Sequence, residues 1–351
     1  MIINEKTQYI PALEQDVKTV VLQNRKHTQV TISSYGAIIT SIKTPDRRGN
    51  FSEIVLGFDQ LEDYLSPAYK DNCPYFGATI GRYANYIGKG QFTLDDKNYQ
   101  LPCNKGLDHY HGGPNGFHQK NWTMETFKEA KRTGVILTLS SPDMEEGYPG
   151  NVDIKLTYTL TFDNELVIDY EATTSKPTVI NLTNHTYFNL SSMQNNVLDH
   201  LMVLYADRFT PKTKDGLPSG EIVAVNDSPL DFLTPRTIGE RINDVDGNGY
   251  DHNFVLNGVT GDLNIGARLV DASTGRSLEF YSTEPGFQLY SGNTLNGSFQ
   301  RDGVSFAKNY GICFKAQKFP DSPNQSQFPS AILRPDETYK QTTVYKFGTT
   351  E

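Results

Sequence analysis

Val152-Asp153-Ile154-Lys155-Leu156-Thr157-Tyr158-Thr159-Leu160-Thr161-Phe162, then Asp163-Asn164, then Leu166, Ile168 and Tyr170 on alternate positions, is the stretch that decides the fold. Side chains of an extended chain point to opposite faces in turn, so an apolar residue at every second position makes one face a core face and leaves the other to water. Asp163 and Asn164 suit the reversal, and the stretch reads as an antiparallel hairpin. Phe92-Thr93-Leu94 and Tyr99-Gln100-Leu101, separated by Asp95-Asp96-Lys97-Asn98, read as a second hairpin. Gln29 to Lys43 followed by Pro45-Asp46-Arg47-Arg48-Gly49 reads as a third.

Elsewhere in the 351 residues the 3.6-residue apolar period of a helix is scarce, and only Asp59 to Tyr64 and Arg236 to Ile242 read as short helical pieces. The 29 glycines and 18 prolines are spread evenly, and no linker, repeat or low-complexity stretch cuts the chain. The expectation is an all-β fold, one large antiparallel β-sandwich domain over residues 1–351. A formal net charge of -9 without a block of consecutive basic residues argues against nucleic acid and against a membrane surface, and suits a neutral or weakly charged small molecule. Cys73, Cys103 and Cys313 are odd in number and far apart, with no Cys-x-x-Cys pair, which suggests neither a disulfide framework nor a zinc site and fits a reducing compartment. Met1 to Ile10 lacks an apolar run of signal-peptide length, and no apolar span is long enough to cross a bilayer. A soluble cytoplasmic protein, monomer or homodimer, is expected.

The run Val179 to Leu190 is more polar than a core strand needs. Val179, Ile180, Leu182, Tyr187, Phe188 and Leu190 surround a single imidazole, His185, while Asn181, Thr183, Asn184 and Asn189 supply groups that could fix its tautomer. A histidine so placed can hold or give a proton near neutral pH. Four other segments share this density of polar residues and glycine: Phe76 to Ile87, His109 to Gly113, Gly249 to Phe254 and Pro285 to Asn293. In the second of these, Gly112 and Gly113 would let backbone approach a ligand and argue against burial of His111. Singly, each segment is an ordinary surface turn. Together they read as the walls of a groove whose amides, carboxylates, imidazoles and aromatic faces suit a sugar, with hydroxyls on the polar groups and the C–H face on a ring. Tyr86, Tyr110, Tyr187 and Phe287 are the candidate rings. No histidine pair with a supporting carboxylate stands out beyond His109 and His111, so no metal is expected.

Added to Ser34-Tyr35-Gly36-Ala37, Val55-Leu56-Gly57-Phe58-Asp59, Glu145-Glu146-Gly147-Tyr148-Pro149-Gly150 and Leu333-Arg334-Pro335, these runs resemble, in order and over nearly the whole chain, the aldose 1-epimerase or galactose mutarotase family. The resemblance implies a supersandwich with a sugar groove across one face, no cofactor, and interconversion of the α and β anomers of a free hexose. Opening the hemiacetal needs one group to take the O1–H proton while another protonates the ring oxygen O5, after which C1 turns and the ring recloses. By resemblance His185 is the acid, His111 bonds beside the ring oxygen, and Asn85, Asp251 and Gln288 hold sugar hydroxyls.

Two positions depart from the family pattern. Tyr86 stands where the family has a sugar-contacting arginine. Lys315, within Gly311-Ile312-Cys313-Phe314-Lys315-Ala316-Gln317, stands where the family has its general-base glutamate. A protonated lysine has three donors and no acceptor. The chemistry then divides three ways. An epimerase would use Asp251 or a desolvated, neutral Lys315 as base. A changed substrate or reaction would pair Lys315 with an acidic sugar's carboxylate, or let it attack an opened aldehyde. A sugar-binding protein would keep the groove without the chemistry. Lys315 would restore the cation missing at Tyr86 or, after a local register shift, be a surface lysine. Among other carboxylates Glu284 reads as within reach of the groove, while Asp336 and Glu337 read as a solvated turn.

Overall fold

The computed structural model describes residues 1–247 and 249–350. Val152–Thr161 and Glu165–Thr174 pair antiparallel, from Val152 opposite Thr174 to Leu160 opposite Leu166. Ile154, Leu156, Tyr158 and Leu160 are buried and Asp153 and Lys155 exposed, as alternation requires. Phe162 lies beyond the strand and is exposed, with the Lys26 ammonium 5.5 Å from the centre of its ring. Among the described residues this hairpin sits inside a nine-stranded antiparallel sheet in the order Thr123–Lys128, Arg132–Ser141, Val152–Thr161, Glu165–Thr174, Tyr339–Thr349, Arg276–Ser282, Asn264–Val270, Leu201–Leu204, Arg236–Thr237.

Two five-stranded sheets complete the frame. The first runs in chain order from Ile2–Ile10 through Gln15–Gln23, Gln29–Ser33 and Ile39–Pro45 to Phe51–Glu53. The second has the order Val223–Ala224, Arg208–Thr210, Asp251–Val255, Gly286–Tyr290, Cys313–Gln317. A continuous apolar core joins all three, drawing Val20 and Ile32, Leu156 and Ile168, and Phe254, Phe287 and Phe314 into one cluster. Phe280 of the large sheet ties it to the second five-stranded sheet, its ring centre 5.3 Å from Phe287 and 5.7 Å from Phe314.

The all-β expectation holds, and the local differences have local causes. The second hairpin turns on Asp95-Asp96 alone, both with positive φ, so Lys97 and Asn98 belong to the returning strand. The third reading splits in two: the chain reverses at Ser34 to Ile38 between Gln29–Ser33 and Ile39–Pro45, and the Asp46 to Asn50 turn then leads to Phe51–Glu53. Gly36 takes φ +62° there, where a Cβ would run into the His118 carbonyl. The helical pieces are the 3₁₀ turns Leu61–Leu65 and Ile238–Asp244, while the one short α-helix among the described residues, Pro67–Asn72, is too brief to leave a 3.6-residue period in the sequence. Among the described residues no helix is long and apolar enough to cross a membrane.

Because Phe280 is fully buried between two sheets, Phe280→Ala should cost about 3–5 kcal/mol of stability. The urea-unfolding midpoint of the variant against the parent chain is the check.

Candidate active site

Three neighbouring strands build the site by alternation. Asn253, Gln288 and Lys315 stand opposite one another on Asp251–Val255, Gly286–Tyr290 and Cys313–Gln317, and Asp251, Tyr290 and Cys313 form the adjacent row. Residues two apart share a face, so all six side chains, with Gln317, lie on one side. The other side carries Phe254, Phe287, Leu289, Phe314 and Ala316 into the core. Phe287 is therefore excluded as a sugar-stacking ring: it is buried against Phe254 and Phe280.

His185 reaches the same side from another direction. Thr183–Asn184 pairs with Thr79–Ile80, and Phe188 exchanges backbone hydrogen bonds with Ile312, which fixes the chain on both sides of the histidine. The polar neighbours brace backbone rather than the ring. Asn181 donates to the Ala84 carbonyl and accepts from the Lys318 N–H, Asn184 donates to the Gly77 carbonyl, and Asn189 donates to those of Asn195 and Tyr310. The ring nitrogens face Lys315 and Cys313 instead. His185 Nε2 is 3.2 Å from Lys315 Nζ, and His185 Nδ1 is 3.7 Å from Cys313 Sγ. Tyr187 and Tyr75 stack on the imidazole at ring-centre distances of 4.9 and 5.9 Å.

His111 and Asn85 clamp each other. The Asn85 N–H donates to His111 Nδ1 at 3.0 Å, and the His111 N–H donates to the Asn85 carbonyl at 3.2 Å. Nδ1 is thus an acceptor, and the ring proton sits on Nε2, which has no partner in the protein. The expectation that His111 would escape burial fails: it is 0% exposed. Its two glycines approach protein rather than ligand, since a Cβ on Gly112 would collide with the Gly81 carbonyl and one on Gly113 with the Glu146 carboxylate.

Beside the Gln288 row opens a cleft of about 360 Å³, part of it open to solvent, lined by Asn85, Tyr86, Asp251, Asn253 and Gln288 and by the loop carrying Lys212. Gln288 donates to Asp251 Oδ1 at 2.8 Å, leaving its own buried Oε1 unpartnered, as is the Nδ2 of Asn253. Free donors and acceptors beside a carboxylate are what hydroxyl recognition requires. Tyr86 lies against Tyr110 at 4.5 Å between ring centres. A larger groove of about 930 Å³ lies along the Val152–Thr161 hairpin, but it is open and lined by threonines and the exposed Lys155–Glu171 pair, with no histidine.

Burial dominates the electrostatics. His185 and Lys315 are each 2% exposed. Desolvation first, and the Lys315 charge second, hold the proton affinities of His185 and His111 well below the ordinary imidazole range. Desolvation also lowers that of Lys315, against the opposing pull of Asp251 and Cys313, and the Tyr290 ring centre lies 5.3 Å from Nζ. The Cys313 thiol is pushed up by burial.

His185, His111, Lys315, Asn85, Asp251, Tyr86 and Gln288 are thus gathered in one region. Lys315 is no surface lysine: its register opposite Gln288 turns it inward. Glu284 is not in the cleft; it pairs with Lys318 at 2.7 Å and accepts from the Tyr339 hydroxyl at 3.2 Å. The sequence reading left out Cys313, Tyr290, Asn253, Gln317 and Tyr75. Two-residue spacing from Lys315, Gln288 and Asp251 points to the first four, whereas nothing local marks Tyr75.

The aldose 1-epimerase family model matches residues 18–346. The galactose mutarotase of Bos taurus is 42% identical over 322 residues, 91% of each chain. The aldose 1-epimerase of Escherichia coli K12 is 34% identical over 346 residues, 96% of this chain and 98% of that one. The crystal structure of a galactose 1-epimerase from Lactobacillus acidophilus superposes with a TM-score of 0.86 at 29% identity, covering 100% of this chain and 99% of that one.

Burial extends to other histidines, lowering His109, His200 and His252 to about 4 and His118 to about 3. Below the ordinary value of 6.5 the unfolded chain therefore binds more protons than the folded one. Stability should fall as pH drops from about 6.5 toward 4, by up to about 1.4 kcal/mol per pH unit for each buried histidine. Urea midpoints measured across that window are the check, and a flat profile would contradict neutral burial.

Proposed function

Because the chain belongs to the aldose 1-epimerase family, we propose that it opens and recloses the ring of a free hexose, interconverting its α and β anomers in the cleft over the Asp251–Val255, Gly286–Tyr290 and Cys313–Gln317 strands. This reading treats the chain as one domain, in keeping with a core continuous from Val20 to Phe347. The observation that carries it is the dry contact between His185 Nε2 and Lys315 Nζ.

Two protonated bases at that separation, out of water, repel strongly, so the pair holds one proton between them. A singly protonated pair is an acid. It delivers its proton through His185 to O5, while Asp251, two strands away, accepts the proton of O1–H. Two strand spacings amount to roughly 10 Å between backbones, room for a pyranose between the side chains. His111 Nε2–H, Asn85 and Gln288 supply hydrogen bonds that hold the ring during opening. An acidic sugar fits less well, since Asp251 faces the same cleft and would repel its carboxylate.

Polarimetry on galactose and glucose should show mutarotation above the buffer rate, reduced by roughly 10²–10⁴ in His185→Gln and Asp251→Asn. The charged and titratable groups around Lys315 are His185, His111, Asp251, Cys313 and Tyr290. Because Lys315 is lowered from its ordinary 10.5, the shared proton is lost, and the rate should fall, as pH rises through a value below 10.5. Sugar binding by calorimetry with no rate above buffer would instead make this a binding protein.

A further inference from the structure

We propose that Lys315 forms a transient imine with the aldehyde carbon of the opened hexose, so that the site exchanges the anomeric oxygen with solvent while it scrambles the anomers. The inference rests on the isomerase reading for one thing only, the delivery of an aldehyde into the cleft.

The geometry brings nucleophile and electrophile into being together. Giving the pair's proton to O5 leaves Lys315 a free amine at the moment C1 becomes a carbonyl. Lys315 stands directly across the ladder from Gln288, which lines the cleft and whose buried Oε1 has no partner among the described residues, so a sugar anchored on Gln288 brings its carbon chain beside Nζ. Among the described residues the amine has no carboxylate within salt-bridge reach to hold it as an ammonium; the exposed Lys155 and Lys176 have such partners. Cys313, the other nucleophile nearby, is kept a thiol by its burial. His185, 3.2 Å from Nζ, is placed to shuttle every proton the addition and dehydration require.

The steps balance without an oxidant or reductant. The nitrogen lone pair of Lys315 adds to C1 and the carbonyl pair moves to O1, giving a carbinolamine after proton transfer through His185. Protonated O1 then leaves as water while nitrogen and C1 form the C=N bond. Solvent water adds to C1, the C–N bond breaks, and the aldehyde re-forms with a solvent oxygen as its new O1. The proton returns to the His185–Lys315 pair, and O5 closes the ring on either face.

Two measurements on the intact chain test this. Incubation with galactose and cyanoborohydride, followed by peptide mapping, should place on Lys315 the mass of one hexose less one oxygen atom, and Lys315→Arg should lose that label. Mutarotation in water enriched in the heavy oxygen isotope should carry that isotope into C1 in step with anomer conversion, a readout on the parent chain that needs no variant. Conversion without exchange or label overturns the imine and leaves the acid–base isomerase standing. Label on Lys315 without conversion keeps the imine and removes the isomerase reading. Label spread evenly over exposed lysines such as Lys155, with no excess at Lys315, overturns the imine; absence of both conversion and label overturns both.

Discussion

The strands Asp251–Val255, Gly286–Tyr290 and Cys313–Gln317 face two environments at once, and the period of two is what allows it. One set of alternate rows places Phe254, Phe287, Leu289 and Phe314 in the core, and the other places Asp251 and Gln288 in the cleft with Lys315 on the same side. The ladder of backbone hydrogen bonds holds both sets at once. A slip of one residue in any strand would bury a carboxylate or an ammonium among phenylalanines and expose the aromatic face. Core packing and site geometry are therefore one constraint, and the large sheet behind Phe280 keeps the register from drifting.

Within that frame the site is dominated by what it excludes. His185, His111 and Lys315 are nearly out of solvent, and no carboxylate meets the ammonium. A buried cation without a partner is costly, and here its neighbours are an imidazole nitrogen at 3.2 Å and an aromatic ring centred 5.3 Å away. That pattern is commoner at functional sites than in ordinary cores.

Much of this was legible in the sequence. Alternation at Val152 to Tyr170 is a direct record of a half-buried strand, and the site segments announced themselves as polar runs in β-forming surroundings. Burial was harder to read. Gly112 and Gly113 looked like room for a ligand, yet the backbone that comes close belongs to Gly81, more than thirty residues away in the chain. Glu284 and Phe287 looked available because sequence distance to Gln288 is short, whereas strand parity turns Phe287 into the core and Glu284, before the strand begins, is taken up by Lys318 and the Tyr339 hydroxyl. The asparagines around His185 looked like tautomer-fixing partners, but their bonds go to backbone, and the groups that do face its nitrogens come from a strand 128 and 130 positions on. Long-range pairing decides these points, and no local pattern encodes it.

With Tyr187 and Tyr75 stacked on it, the His185 ring offers its edge atoms to chemistry, and each edge atom has one neighbour. Nε2 meets Lys315; Nδ1 meets a thiol that holds its hydrogen tightly. A proton that arrives at this imidazole has no exit through the far side and must leave toward the cleft it came from. The ring takes and gives its protons on the Nε2 side alone. Such a site conserves its protons from one cycle to the next, which suits an interconversion of isomers and is poorly suited to any reaction that must release acid to, or draw it from, the surrounding water.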